Sequence, residues 1–209
     1  MMSKELLNSL YFDKDADLSL IQDKTVAIIG YGNQGQAQAL NLRDSGVKVI
    51  VGARESGSSE QQAKEDGFNV LSIQDAVKIT DIIAILLPDQ VMSKVYDESI
   101  FPNLSAGKIL QFSHGYNIHY GKIVPPKDVD VIMVAPSGAG KMVRQEFEKG
   151  SGVPNLIAIH QDYSGAAFDM ALSYSKAIGG TRSAAFKSTF KEETETDLFG
   201  EQVVLTGGI

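Results

Sequence analysis

Thr25-Val26-Ala27-Ile28-Ile29-Gly30-Tyr31-Gly32-Asn33-Gln34-Gly35 is the stretch that decides how the chain folds. Its first five residues are apolar and mostly β-branched, the composition of a strand buried on both faces. Residues 33–45 then place Ala37, Ala39, Leu40 and Leu42 at helical spacing, and Gly46 ends the run. A Gly-x-Gly-x-x-Gly pattern by itself is weak, but between a strand and a helix it describes a dinucleotide-binding turn. Gly30 allows the tight turn. Gly32 lets a pyrophosphate approach the backbone, and Gly35 lets the helix lie close to the strand. The pyrophosphate then meets the N–H groups at the helix N-terminus.

Working outward, the same alternation repeats. Strands are predicted at residues 47–51, 68–71, 81–87, 108–112, 129–134 and 156–159, with a short last one at 183–185. Between them fall helices at 58–66, 72–79 (with Ser72 as N-cap), 90–99, 140–149 and 164–178. The pattern predicts an α/β fold: a doubly wound, mostly parallel Rossmann-type sheet with helices on both faces, followed by a short helical tail. Right-handed crossovers then put every strand-to-helix turn on one edge, where open α/β sheets bind ligands. From Thr189 the texture turns acidic and helical. The expected organisation is a dinucleotide-binding domain over 1–186 and the start of a helical C-terminal domain over 187–209.

Bulk properties narrow the function classes. The chain has 209 residues, 43% of them apolar, which suffices for a sizeable core. Its net charge of −7 and the absence of any Lys/Arg run argue against a nucleic-acid partner. Without cysteine there is no disulfide, thiolate metal site or thiol nucleophile. The N-terminal residues do not read as a signal peptide, and the longest apolar run, 82–88, is too short to span a bilayer. The expectation is a soluble cytoplasmic protein with no membrane partner.

The segment after the second strand reports cofactor choice. Arg54 can pair with a 2′-phosphate, and Ser58 and Ser59 can donate hydrogen bonds to it, which favours NADPH. Glu55 and Glu60 argue for NADH if either points inward. His114 follows a strand on the ligand-binding edge, whereas His119 and His160 lack such placement and read as structural. Asp197 and Glu201, four apart on a predicted helix, share a face and suit Mg²⁺. By spacing alone a solvated acidic face is the simpler reading, since Glu192, Glu193 and Glu195 lie nearby.

GYGNQGQAQALNLRDSG (30–46), FSHGYNIHYG (112–121), PPKDVDVIMVAP (125–136), GVPNLIAIHQD (152–162) and FKEETETDLFGEQ (190–202) together resemble ketol-acid reductoisomerase. The resemblance runs from about Tyr11 to the last residue. It implies an enzyme of branched-chain amino-acid synthesis that uses NADPH and Mg²⁺. Such an enzyme converts the 2-acetohydroxy acid 2-acetolactate to 2,3-dihydroxyisovalerate by an alkyl shift and a hydride reduction. It implies His114 as the catalytic histidine. It also implies cofactor contacts from Gly30, Tyr31, Gly32, Asn33, Gln34, Gly35, Arg54, Ser59, Asp89, Gln90, Val91, Met92 and Gly140, and metal ligation by Asp197 and Glu201.

The pattern also has departures. Family members continue into a knotted helical domain that supplies further metal carboxylates. Serine stands at Ser137 where the family usually has lysine, with Lys141 as a candidate substitute. Ala139 replaces a usual proline, and Gly57 a common serine. Two readings follow: a reductoisomerase, expected as a homo-oligomer or with a partner chain, whose remaining half comes from another chain or was lost, or a stand-alone NAD(P)-binding protein without catalytic activity. The apolar tail residues Leu198, Phe199, Val203, Val204 and Leu205 are expected to seek cover in self-association or a partner.

Overall fold

The computed structural model describes residues 9–197. Nine strands form one sheet: β1 (Leu10–Tyr11), β2 (Thr25–Ile29), β3 (Lys48–Gly52), β4 (Asn69–Leu71), β5 (Ile82–Ile85), β6 (Ile109–Phe112), β7 (Asp130–Pro136), β8 (Asn155–Gln161) and β9 (Ala185–Lys187). Their order across the sheet is β1-β9-β8-β7-β6-β5-β2-β3-β4. The helices are α1 (Ser19–Gln22), α2 (Asn33–Asp44), α3 (Ser58–Glu65), α4 (Ile73–Ile79), α5 (Asp89–Val95), α6 (Tyr116–His119), α7 (Gly140–Glu148) and α8 (Ala167–Ala177). Residues 190–197 are also helical and are termed α9.

From β4 to β7 every neighbouring pair is parallel, and the chain reverses its direction of winding between β2 and β5. That topological switch point is where a doubly wound sheet opens a crevice for a ligand. Period-2 alternation sorts the central strands between two cores. Val26, Ile28, Ile82 and Ala84 pack with Leu42 of α2 and Tyr174 of α8. Ala27, Ile29, Ile83 and Ile85 pack with Ile73 of α4, Met92 of α5 and Phe190 of α9 on the opposite face. Strands buried on both faces need apolar residues at every position, which is why residues 25–29 and 82–85 read as unbroken apolar runs.

Element boundaries mostly follow the sequence expectation, and Ser72 does cap α4, accepting a hydrogen bond from the Asp75 N–H. Three features differ. The helix expected over 90–99 ends at Val95 and continues as a wider π turn, Tyr96–Ile100, before a 3-10 turn that contains Pro102. β1 was not expected at all; it pairs antiparallel with β9 at the sheet edge. Most consequentially, β8 runs antiparallel to β7. Here α7 does not cross the sheet. It packs along α2, with Val143 and Val153 against Ala37. The chain returns on the edge it left, where the Ser137 N–H donates to the Pro154 carbonyl. The turn from β8 into α8 therefore lies on the opposite edge, so the expectation of one common edge holds for the parallel strands only.

The expected boundary between residues 186 and 187 falls inside β9. Phe190 of α9 is buried against Phe112 and His160. Glu201 and the apolar residues 198–205 lie outside the described residues. Among the described residues no helix is long and apolar enough to cross a membrane.

Candidate functional site

The three glycines of the turn are explained by three different distances. Gly30 has a left-handed backbone, and a Cβ there would sit 2.7 Å from the Leu86 carbonyl oxygen after β5. A Cβ at Gly35 would run into the Gly30 carbonyl. A Cβ at Gly32 would meet nothing within 4 Å, so the middle glycine faces open space at the N-terminus of α2. Two glycines thus close the turn on protein and the third leaves room for a ligand.

Beside the turn a cavity is lined by Gly30, Tyr31, Arg54, Ser58, Ser59 and Val91, among others. The Arg54 guanidinium has no carboxylate partner among the described residues. Glu55 and Glu60 line a separate hollow on the outer side of Gly57. Glu60 is occupied there, accepting from the Ser56 N–H at 2.5 Å and pairing with Lys64 at 2.6 Å. The inward-facing acid that would favour NADH is thus not among the cavity's lining residues.

The other expected cofactor residues divide. Val91 lines the cavity, Gln90 is exposed, and Met92 is buried in the core. The Tyr31 ring is buried edge-on against Phe68, and its hydroxyl donates to Asp66 at 2.8 Å, so its phenol anchors α3 to the turn. Burial and the Asp66 carboxylate together push that phenol far up from its usual pKa. Gly140 abuts Asn33: a Cβ there would collide with the Asn33 carbonyl and lie 2.8 Å from the Gln34 nitrogen. The Gln34 side chain donates to the Gly138 carbonyl at 2.8 Å. The phosphate turn and the start of α7 are therefore one packed unit.

His114 begins the loop after β6. Its Nδ1 lies 2.9 Å from Glu193 Oε1 and 3.6 Å from Asp197 Oδ2; its Nε2 lies 3.6 Å from Asp89 Oδ2. Since Glu193 can only accept, Nδ1 carries the proton and Nε2 faces outward. The second oxygen of Glu193 accepts from the Gly115 N–H at 2.8 Å. A Cβ at Gly115 would press on Thr194 Oγ1 and the Phe190 carbonyl at 2.5 and 2.6 Å, so glycine is what lets α9 seat here. Burial alone would disfavour the imidazolium. The hydrogen bond and charge of Glu193, with Asp89 and Asp197 beyond it, outweigh burial and hold the His114 pKa above its usual value.

Glu193 was not singled out from the sequence. Its side chain is only 6% exposed, against 54% for Asp197. Ligand atoms of His114, Glu193 and Asp197 lie within 4.8 Å of one another, the span of a cation site. The two carboxylates suit a hard divalent ion, with Asp197 the more accessible, while the Nδ1 proton held by Glu193 leaves the imidazole beside the ligand set and not in it. The same residues line a hollow with Ser113 and Ser137. Lys141 is not among the residues lining that hollow; it lines the groove between α2 and α7. Asp89, expected along the cofactor, turns its carboxylate toward His114 and Asn117.

Comparison with known proteins agrees with this geometry. The profile described as acetohydroxy acid isomeroreductase, NADPH-binding domain, matches residues 20–184. A ketol-acid reductoisomerase (NADP(+)) of Petrotoga mobilis is 57% identical over 198 residues, which is 95% of this chain and 60% of that protein. The solved structure of an NADH-preferring ketol-acid reductoisomerase from an uncultured archean superposes with a TM-score of 0.92 at 48% identity, covering 95% of this chain and 62% of that one. A semialdehyde dehydrogenase NAD-binding protein from Cupriavidus necator shares the fold alone, with a TM-score of 0.72 at 18% identity over 88% of this chain and 70% of that one. The chain spans about three-fifths of the length of the reductoisomerases it matches. It belongs to the acetohydroxy acid isomeroreductase family, whose NADPH-binding domain its residues 20–184 form.

Proposed function

We propose that this chain forms the cofactor domain and part of the metal site of a cytoplasmic, Mg²⁺-dependent ketol-acid reductoisomerase, which converts 2-acetolactate to 2,3-dihydroxyisovalerate with NADPH in branched-chain amino-acid biosynthesis. The observation that carries the proposal is the position of the His114–Glu193–Asp197 cluster, on the same sheet edge as the phosphate turn. Arg54, with Ser58 and Ser59 at the start of α3, offers charge and hydroxyl donors to a 2′-phosphate. All three supply this without competition from Glu60, which Ser56 and Lys64 occupy.

When bound, NADPH supplies the hydride and Mg²⁺ polarises the substrate oxygens. The remaining work falls to the chain's own groups. The alkyl shift takes a proton from the C2 hydroxyl and returns one to the C3 oxygen, and the reduction consumes one further proton. An imidazole fixed at Nδ1 by a buried carboxylate, with Nε2 turned toward Asp89, is suited to carry it. Asp197 presents a carboxylate to the hollow in which the cation and substrate would meet. Glu201 is the second metal carboxylate in this proposal. A further helical segment completes the metal site and covers the substrate.

One observation favours the alternative of a dinucleotide-binding protein without turnover: Ser137 lines the hollow without a positive charge, and Lys141 faces elsewhere. The deciding experiment supplies 2-acetolactate, Mg²⁺ and NADPH to the protein with the helical segment that completes its metal site present, and follows 2,3-dihydroxyisovalerate by NMR. Product above a His114→Ala control is expected. Equal traces from both proteins, with NADPH still bound, would favour the alternative.

A further inference from the structure

One side chain touches both halves of the site and has no role in the function proposed above. Gln38, in the second turn of α2, is fully buried. Its Oε1 accepts from the Tyr174 hydroxyl of α8 at 2.9 Å. Its Nε2 donates to Ser113 Oγ at 3.0 Å and to Gln34 Oε1 at 3.3 Å. These three contacts fix which way the amide points, because only the oxygen can receive the tyrosine proton and only the nitrogen can serve the other two.

Each partner leads to a working part. Gln34 belongs to the phosphate turn, and its own amide holds the Gly138 carbonyl ahead of α7. Ser113 immediately precedes His114, and its hydroxyl donates to the Val134 carbonyl at the end of β7 at 2.9 Å. Gln111 also reaches Ser113 Oγ, at 3.3 Å, while its buried Oε1 has no partner among the described residues. The cluster therefore holds one more acceptor than it uses. An incompletely satisfied buried network can shift when one member moves.

We propose that Gln38 is a positioning residue that transmits occupancy of the phosphate turn to Ser113 and His114. A pyrophosphate at Gly32–Gly35 tightens the first turn of α2, and with it Gln34. The Gln38 amide is the hydrogen-bonded link from that turn to the residue before His114. Buried hydrogen-bond chains of this kind can carry coupling between sites, provided the coupling is measured. The inference rests on the proposed reading of the turn as a dinucleotide site.

The test uses 2′-phospho-ADP-ribose, which fills the turn and the Arg54 cavity but has no nicotinamide to touch His114. In the wild-type chain, saturation is expected to move the His114 Cε1–H NMR resonance, assigned by its loss in His114→Ala. In Gln38→Met, which keeps the volume and loses the amide, calorimetric binding weakens by about tenfold or less, and the His114 movement disappears. Should Gln38→Met unfold, the Tyr174→Phe/Gln38→Met pair removes the orphaned hydroxyl and is measured instead, with the same expectation. Binding without any wild-type movement of His114, or with equal movement in the variants, would overturn the coupling. Absence of calorimetric binding in the wild type would instead overturn the dinucleotide reading and this inference with it.

Discussion

Glu193 carries the structure's main addition at the residue scale. Phe190, Glu193, Thr194 and Asp197 fall at i, i+3, i+4 and i+7, the signature of one helix face, yet the surrounding run of acids suggests a solvated surface. The partners that justify burying this glutamate, His114 and the Gly115 N–H, are almost eighty residues earlier, and no local pattern could announce them. Tyr31 and Met92 illustrate the same limit in reverse. Both sit where cofactor contacts are expected, and each has a packing role no local pattern announces: Phe68 and Asp66 hold the Tyr31 ring at the cavity wall, and the core takes up the Met92 side chain. Glu193 also makes a pH prediction. His114 has its pKa raised in the folded state, so its ion pair stabilises the fold fully below the unfolded value of about 6.5 and loses that contribution as pH rises through the folded value. Glu193→Gln should bring the His114 pKa, followed by NMR, down toward the ordinary value and flatten this pH dependence. An unchanged titration would mean that Asp89 and Asp197, not Glu193, govern the imidazole.

At the scale of elements, strands and caps were the most legible features. Residues 25–29 and 82–85 are apolar at every position because both sheet faces are covered, and Ser72 caps α4 through a purely local bond. The direction of β8 was not legible: its residues would suit either direction, and the antiparallel pairing follows from α7 docking on α2 instead of crossing the sheet. That docking depends on Gly140, whose missing side chain lets the start of α7 meet Asn33 at the phosphate turn. Backbone on both sides cannot yield, so Gly140→Ala should destabilise the chain by about 1–3 kcal/mol. The matching fall in Tm is roughly 2–4 °C per kcal/mol for a protein of this size. The same variant should weaken NADPH binding by displacing the turn. A variant with wild-type Tm and wild-type affinity would show that α7 and the turn move independently.

Across the whole molecule, the strand order around the switch point gathers the ends of β2, β3, β5, β6 and β7 on one edge. The glycine turn, the Arg54 cavity, Asp89, His114 and Ser137 all follow those ends, which is why one short motif at 30–35 points to a single edge of a 209-residue chain. The edge suits two chemistries side by side: an open backbone and a guanidinium without a carboxylate partner among the described residues, fit for a phosphorylated dinucleotide, and carboxylates around a histidine, fit for a cation and a proton. The acidic net charge makes that local arrangement necessary, since the chain's overall field repels anions. Whether this edge holds NADPH through the turn and Arg54 is decided by calorimetric titration of NADPH and NADH into wild type and Arg54→Gln. One NADPH per chain is expected, bound more tightly than NADH. Arg54→Gln should lose about 10- to 100-fold in NADPH affinity, the size of a charge-assisted contact of about 1.5–3 kcal/mol, with NADH affinity unchanged. Equal affinities for the two cofactors, or an Arg54→Gln variant that binds NADPH as the wild type does, would contradict it.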